Sequence, residues 1–272
     1  MFFIKKKPEK NHRLTKKERD NILLTPQIKS ILIGTLLSGS WLQKNIRWNP
    51  RICFKQSIIN PVYLWSLYEQ LSPLCSKNPP QVCKNKCRGK SFESLSFQTR
   101  QLACLNKLFH LFYKPIYQSD KSLPSIVSPF SVAMKRRVEA MHSVILPSEE
   151  WFHCFPSCVA MNGNARRKQK KMTFVKTIKN ELIQYLDYLA LAHWIMEDGS
   201  KKNNSLTLCT DNFTLKEVKL LISMLTTNFK IHPTIHCEKQ KYYRIYINKR
   251  DLNQILPHIK PYIIDHFLYK IS

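Results

Sequence analysis

Residues 191–199 read Leu-Ala-His-Trp-Ile-Met-Glu-Asp-Gly, an apolar helical run that stops at two carboxylates and a glycine. Carboxylates at a helix C-terminus face the negative end of the macrodipole, where Lys or Arg is the stabilising choice. Glu197 and Asp198 therefore point to something other than helix stability, and a bound cation is the direct compensation. Residues 31–39, Ile-Leu-Ile-Gly-Thr-Leu-Leu-Ser-Gly, echo this run 160 positions earlier, with Ser38 in the place of Asp198 and Gly39 in that of Gly199. The chain has only five glycines, and two of them occupy this matched position. Two such helices packed side by side, each ending in an acid, would bring carboxylates together near a pseudo-twofold axis. Metals held there by carboxylate and phosphate oxygens suit an in-line phosphodiester displacement. Here one half keeps the acid and the other has a hydroxyl. Asp-Gly is also a common turn dipeptide, but the matched Ser38-Gly39 and its repeated surroundings argue against a plain turn.

The elements that must position these residues repeat as well. Thr25 is a good N-cap and Pro26 suits the first helical position, so a helix is expected over Gln27 to Leu37, with Gly39 able to take a left-handed cap conformation. Residues 51–57 form a strand candidate, and a helix with Val62, Leu64, Leu67, Tyr68 and Leu71 inward follows. Ser94 to Thr99 alternates like a strand, and Leu102, Leu105, Leu108, Phe109 and Phe112 mark another helix. The second half repeats the order. Asp187 caps a helix running to Glu197, Leu206 to Thr210 is a strand, and Leu215 to Leu225 a helix. Lys230 to Cys237 and Tyr242 to Ile247 pair as strands, and Leu252, Ile255, Leu256 and Ile259 close the chain. Each half reads α-β-β-α-β-β-α, with some strands hard to see. The domain division is a basic arm over 1–23, a first unit over 24–114, a basic insert over 115–178 and a second unit over 179–272. The insert offers a helix from Ser128-Pro129, with Phe130, Met134, Val138, Met141 and Ile145 as its stripe, and a basic run over 166–171. The polar arm is expected to order on a ligand.

The 272 residues carry 44 Lys and Arg against 18 Asp and Glu, a net charge of +26. Such a field repels itself and is best matched by a polyanion. No run approaches the roughly 20 apolar residues of a membrane helix, so nucleic acid is favoured over lipid, and no membrane partner is expected. Lys5, Lys6 and Lys7 follow a very short apolar start, the reverse of a secretory signal. Nine cysteines, an odd count, speak for a reducing compartment rather than a disulfide scaffold. Cys83, Cys87, Cys154 and Cys158 have spacings compatible with zinc, with ordinary core packing as the alternative. His193 and Trp194 read as packing. Glu197 is either a second metal ligand beside Asp198 or a solvated neighbour.

On residues 191–199, which map without a gap onto the nine-letter motif, and on the repeated order, the chain resembles the LAGLIDADG homing endonucleases of the two-repeat single-chain type. The resemblance covers about 24–113 and 179–270 and leaves the arm and insert outside. It implies an α+β fold of two pseudo-symmetric αββαββα units, forming a saddle whose antiparallel sheets line a DNA major groove and whose motif helices pack at the central seam. It implies Mg²⁺-assisted double-strand cleavage, with Asp198 as the metal-binding acid, or, as in other members, a maturase role in intron splicing. Gln56 matches a polar strand residue near the scissile phosphates, with Thr210 as its counterpart. Arg100 and Lys249 are candidates for the transition-state lysine positions. Arg51, Lys55, Arg100, Lys201, Lys202, Arg244 and Arg250 are candidate nucleic-acid contacts.

Ser38 departs from the pattern. A hydroxyl brings no charge to a hard divalent cation, so nicking at best is expected. Three function classes follow: a site-specific DNA endonuclease, an RNA-binding splicing maturase, or a structural component of an RNA-rich assembly such as an organellar ribosome. A monomer is expected, since the pseudo-dimer is already covalent. The composition, rich in Lys, Ile, Leu and Asn, suggests an AT-rich organelle genome, with a mitochondrion ahead of a chloroplast.

Overall fold

The computed structural model describes residues 14–45, 47–59, 61–76, 78–87, 90–117 and 172–272. Part of the arm is helical: Thr15 and Glu18 form a reciprocal capping box that starts α1 (Lys16–Asp20), which buries no residue. Most of the insert, including its expected helix and basic run, and residues 1–13 lie outside the described residues.

The first motif helix, α2 (Pro26–Leu37), begins as its sequence dictates. The Thr25 hydroxyl accepts from the Ile28 amide, and Pro26 occupies the first turn. Ser38 is its cap residue, so the terminus falls one position before Gly39. There follow β1 (Trp41–Asn45), β2 (Trp48–Ser57), α3 (Pro61–Gln70), β3 (Gln81–Cys87), β4 (Lys90–Gln98) and α4 (Asn106–Phe112). The second unit runs α5 (Tyr188–Asp198), β7 (Gly199–Lys202), β8 (Ser205–Leu208), α6 (Leu215–Phe229), β9 (Thr234–Glu238), β10 (Tyr242–Ile247) and α7 (Lys249–Ile259). Between the units, β5 (Tyr113–Tyr117) pairs antiparallel with β6 (Met172–Lys176), so the two edges of the insert are joined.

Both four-stranded sheets are antiparallel and share one topology: β1-β2-β4-β3 and β7-β8-β10-β9. The repeated αββαββα order is therefore real. β1, β3 and β7 escaped the pattern reading because little alternates along them; β7 is a glycine followed by three exposed polar residues. β9 starts at Thr234, after a loop at 230–233, so it is shorter than the strand expected from Lys230 to Cys237.

The motif helices lie side by side and are apolar nearly all round, since they pack on each other and the second also meets β7 and β8 of its own sheet. Ser30 to Leu37 and Ala190 to Met196 are buried. Gly34 is where the backbones come closest: a Cβ there would stand 2.2 Å from the Ala190 carbonyl oxygen and 2.8 Å from His193 Cβ. In α3 the inward face is Tyr63, Leu64 and Leu67. Val62, expected inward, is 43% exposed, because starting the helix at Pro61 turns Tyr63 to the core instead. Tyr63 reaches the other unit, its hydroxyl 3.0 Å from His193 Nδ1 and its ring edge-on to Phe267. His193 and Trp194 are buried seam residues, as read.

Candidate functional site

The motif helices end against one another through side chains. Ser38 Oγ donates to Glu197 Oε2 at 2.5 Å, and the Gly39 amide donates to the same oxygen at 2.9 Å. Glu197 is thus a half-buried, doubly bonded carboxylate rather than a solvated neighbour, because a hydroxyl and the amide that follows the last turn of α2 face it across the seam. Ser38 and Glu197 are 159 residues apart, the same separation as Gly34 and His193, which meet further up the seam. Counted from these two contacts the offset is 159, one less than that of the matched glycines, while the Gly39 amide reaches Glu197 at 158.

Positive charge at the helix ends comes from two lysines that pattern reading missed. Lys270, buried, places Nζ 2.6 Å from the Met196 carbonyl oxygen and 3.3 Å from that of Ile195, at the end of α5. Lys176 places Nζ 3.4 Å from the carbonyl oxygens of both Ser38 and Ser40, at the end of α2. The compensation demanded by carboxylates at a helix C-terminus is thus met in part by ammonium groups. Neither Arg100 nor Lys249 takes this place. Arg100 donates its amide to the Leu74 carbonyl and stands near Cys75, and Lys249 is the first residue of α7.

Asp198 is the last residue of α5, and its carbonyl accepts from the Cys209 amide at 3.1 Å. Burial first, and then the nearby Asp198 and Asp211 carboxylates, push the Cys209 thiol up to about 12. On the first unit, Gly39, Ser40, Phe54, Lys55, Gln56, Leu64 and Glu197 line a small pocket. Gln56 Oε1 and Ser40 Oγ are buried with no hydrogen-bond partner among the described residues. Buried polar atoms are seldom left so, and such orphans call for a bound group. Gln56 Oε1, Ser40 Oγ and the Glu197 carboxylate are oxygen ligands of the kind that suit Mg²⁺ rather than a thiolate-seeking metal, with Lys55 lining the same pocket. Thr210, the counterpart of Gln56, is satisfied differently: its hydroxyl donates to the Tyr243 carbonyl at 2.5 Å.

These helix ends open onto the first strands of the two sheets, the arrangement that the repeated units require. A model of the LAGLIDADG DNA endonuclease family matches residues 29–134 and 164–255. The chain belongs to that family. It is 40% identical over 98 residues to the cytochrome b mRNA maturase bI2 of Debaryomyces hansenii, covering 36% of this chain and 37% of the relative. To the bI2 maturase of Saccharomyces cerevisiae it is 26% identical over 266 residues, covering 94% of this chain and half of the relative. The chain thus spans well under two thirds of the length of these two relatives. Among solved structures, the homing endonuclease I-WcaI bound to its DNA recognition sequence matches with a TM-score of 0.65 at 21% identity, over 92% of this chain and 88% of that one. The two-unit LAGLIDADG fold is shared.

Within that fold the basic candidates divide. Arg51 and Lys55 sit on β2 and alternate with the buried Ile52 and Phe54, and Arg51 bonds to Gln43. Lys201 and Lys202 are exposed on β7, and Arg250 is exposed on α7. Arg244 on β10 holds Asp211 with two bonds of 3.2 Å and also pairs with Glu238, so its charge is taken within the protein. Cys83 lies on β3 with its thiol 3.1 Å from Ser96 Oγ. Cys154 and Cys158 fall outside the described residues, and among the described residues no cluster of His, Cys, Asp and Glu has the arrangement of a metal site. No helix among them is long and apolar enough to cross a membrane.

Proposed function

We propose that this chain is a nucleic-acid-binding protein, by descent a site-specific double-strand DNA endonuclease, whose cleavage is impaired at the first motif. The observation that carries this is the end of α2: it brings no carboxylate, and its hydroxyl and following amide are taken up by Glu197. On the seam register above, Gly39 rather than Ser38 faces Asp198; either residue leaves the first position without an acid. Asp198 and Glu197, with the Gln56 carbonyl, are the groups that would hold Mg²⁺, which would supply charge stabilisation to a phosphodiester under attack. The chain's own residues orient that site. Lys270 and Lys176 neutralise the helix ends, and Ser38 fixes the Glu197 carboxylate. Arg51, Lys55, Lys201 and Lys202 supply positive charge along the sheets for a phosphate backbone.

A splicing maturase is the second reading, favoured by the bI2 relative that matches across 94% of this chain. Organellar expression, in a mitochondrion before a chloroplast, goes with either.

The test is to incubate the purified chain with Mg²⁺ and a supercoiled plasmid carrying the DNA that flanks its own gene. Nicked circles or no product are expected, and Asp198→Asn should remove any nicking while duplex binding is kept. Efficient conversion to linear DNA by the natural chain would overturn the reading.

A further inference from the structure

Among the described residues two arginines stand on strands of the four-stranded sheets, Arg51 on β2 and Arg244 on β10, and they are committed very differently. Arg244 uses all three guanidinium nitrogens inside the protein, Nε and Nη2 on the Asp211 carboxylate and Nη1 on Glu238. Two carboxylates offset its charge. Arg51 donates only Nε, at 2.9 Å, to Gln43 Oε1. Its two terminal nitrogens carry no hydrogen bond among the described residues. The Gln43 carbonyl is neutral, so the guanidinium keeps its whole positive charge.

The hold on Arg51 is built into the sheet. Gln43 lies directly opposite it in the β1–β2 ladder, and the amide oxygen must face the guanidinium because Nε–H can only donate. The Trp48 ring centre is 5.7 Å from the guanidinium carbon, within reach of a cation–π contact. Arg51 alternates with the fully buried Ile52 and so belongs to the sheet face turned away from the core. What is left unbonded on that face is the fork of two Nη groups. Two donors on a rigid fork match two acceptors side by side. In the major groove guanine offers that pair, N7 and O6, whereas adenine sets a donor beside its N7. At 3.4 Å per residue, Arg51 is about 17 Å along β2 from Gln56 and the seam pocket, so its contact is independent of whether the seam cuts.

We propose that Arg51, positioned by Gln43 and Trp48, determines specificity by reading one guanine of the DNA target, while the clamped Arg244 reads none. This rests on the reading that the chain binds a specific DNA duplex along its sheets. The experiment measures fluorescence anisotropy of the full chain with a duplex of the DNA that flanks its own gene, with a scrambled duplex, and with a panel in which each base pair is replaced singly. For the natural chain, changing one G·C pair to A·T should weaken binding about tenfold. Arg51→Lys keeps the charge and loses the fork; it should bind the guanine and adenine forms alike, with the rest of the profile unchanged. Gln43→Leu should lower the preference at the same pair to about threefold without moving the melting temperature, and Gln43→Glu, which keeps the acceptor, should retain it. Lys202→Gln, removing an exposed charge on β7, should weaken every duplex equally and flatten the log K against log salt slope by about 1.

A natural profile in Arg51→Lys, or a loss in it spread evenly over the panel, would overturn base reading by Arg51. An even loss in Gln43→Leu would overturn the positioning role. Either result, with the natural chain still selective for the flanking duplex, spares the reading of a site-specific DNA binder. Equal binding of flanking and scrambled duplexes by the natural chain sinks both.

Discussion

Ser38 and Glu197, 159 residues apart, share a hydrogen bond of 2.5 Å across the seam, and the Gly39 amide completes the hold on the same carboxylate oxygen. The second motif thus closes off the end of the first. We read the offset of 159 in that contact as the register of the two motifs, which decides which substitution can return an acid to the first helix. Gly39→Asp keeps the Ser38 hydroxyl and the position-39 amide on Glu197 and adds a carboxylate opposite Asp198. It should restore linear product from a plasmid target with Mg²⁺. Ser38→Asp should not, since it sets a second carboxylate directly against Glu197. That variant should lose about 2 kcal/mol without metal, read as a melting temperature lower by about 6 °C. Linear product from Ser38→Asp alone would refute the register.

Gly34 tests the closeness of the helices. A Cβ 2.2 Å from the Ala190 carbonyl oxygen and 2.8 Å from His193 Cβ meets backbone on one side and a buried ring on the other. Neither can yield without parting α2 from α5. Gly34→Ala should therefore destabilise by about 3 kcal/mol by overpacking, although alanine is the better helix former. Urea unfolding would check this. A neutral or stabilised variant would mean that the seam is looser than these distances.

Much of this architecture was legible in the chain, and what was not has physical reasons. The caps at Thr25 and Asp187 and the alternation over Tyr242–Ile247 are local signals, and each element starts or runs where those residues put it. β7 was hidden because Gly199 and three exposed polar residues make no alternation. Val62 was misplaced by one step of helical phase. The need for positive charge at the end of α5 could be read from Glu197 and Asp198, but its source could not. Lys270 reaches the Met196 carbonyl from 74 residues away, and Lys176 reaches Ser38 from 138. No sequence window holds either pair. Arg100 and Lys249 were the basic residues late in each unit that spacing offered, whereas Lys176 and Lys270 reach the helix ends from segments that return to the seam.

His193 gives the protein a pH dependence of definite sign. Burial pushes its imidazole down to about 4, and the Tyr63 hydroxyl is 3.0 Å from Nδ1. In the unfolded chain the ring titrates near 6.5. Above that pH neither state binds the proton, and the full stability is present. As pH falls from about 6.5 towards 4, the unfolded chain takes up the proton first and stability is lost, by about 3 kcal/mol at the lower end. Urea midpoints measured across this range should fall more steeply for the natural chain than for His193→Gln, in which the carboxylate titrations common to both remain. Parallel curves would show that the buried ring is not the group responsible.

Lys270 separates the two ways of satisfying a helix end. Its ammonium is buried and bonded to the carbonyls of Ile195 and Met196, directly before the acids, with the Phe267 ring 5.3 Å away. Lys270→Met keeps the packing volume and removes both the bonds and the charge. It should cost about 2 kcal/mol, because two carbonyls at the negative end of α5 lose a charged donor. The same change lifts the local positive charge beside Glu197 and Asp198, so the variant should gain more from Mg²⁺ than the natural chain does. The measurement is the melting temperature with and without Mg²⁺, which reads binding as stabilisation of the folded state. A larger metal-induced shift in Lys270→Met would place the ammonium and the metal in competition for the same negative helix end, whereas identical shifts would mean that the lysine serves the fold alone.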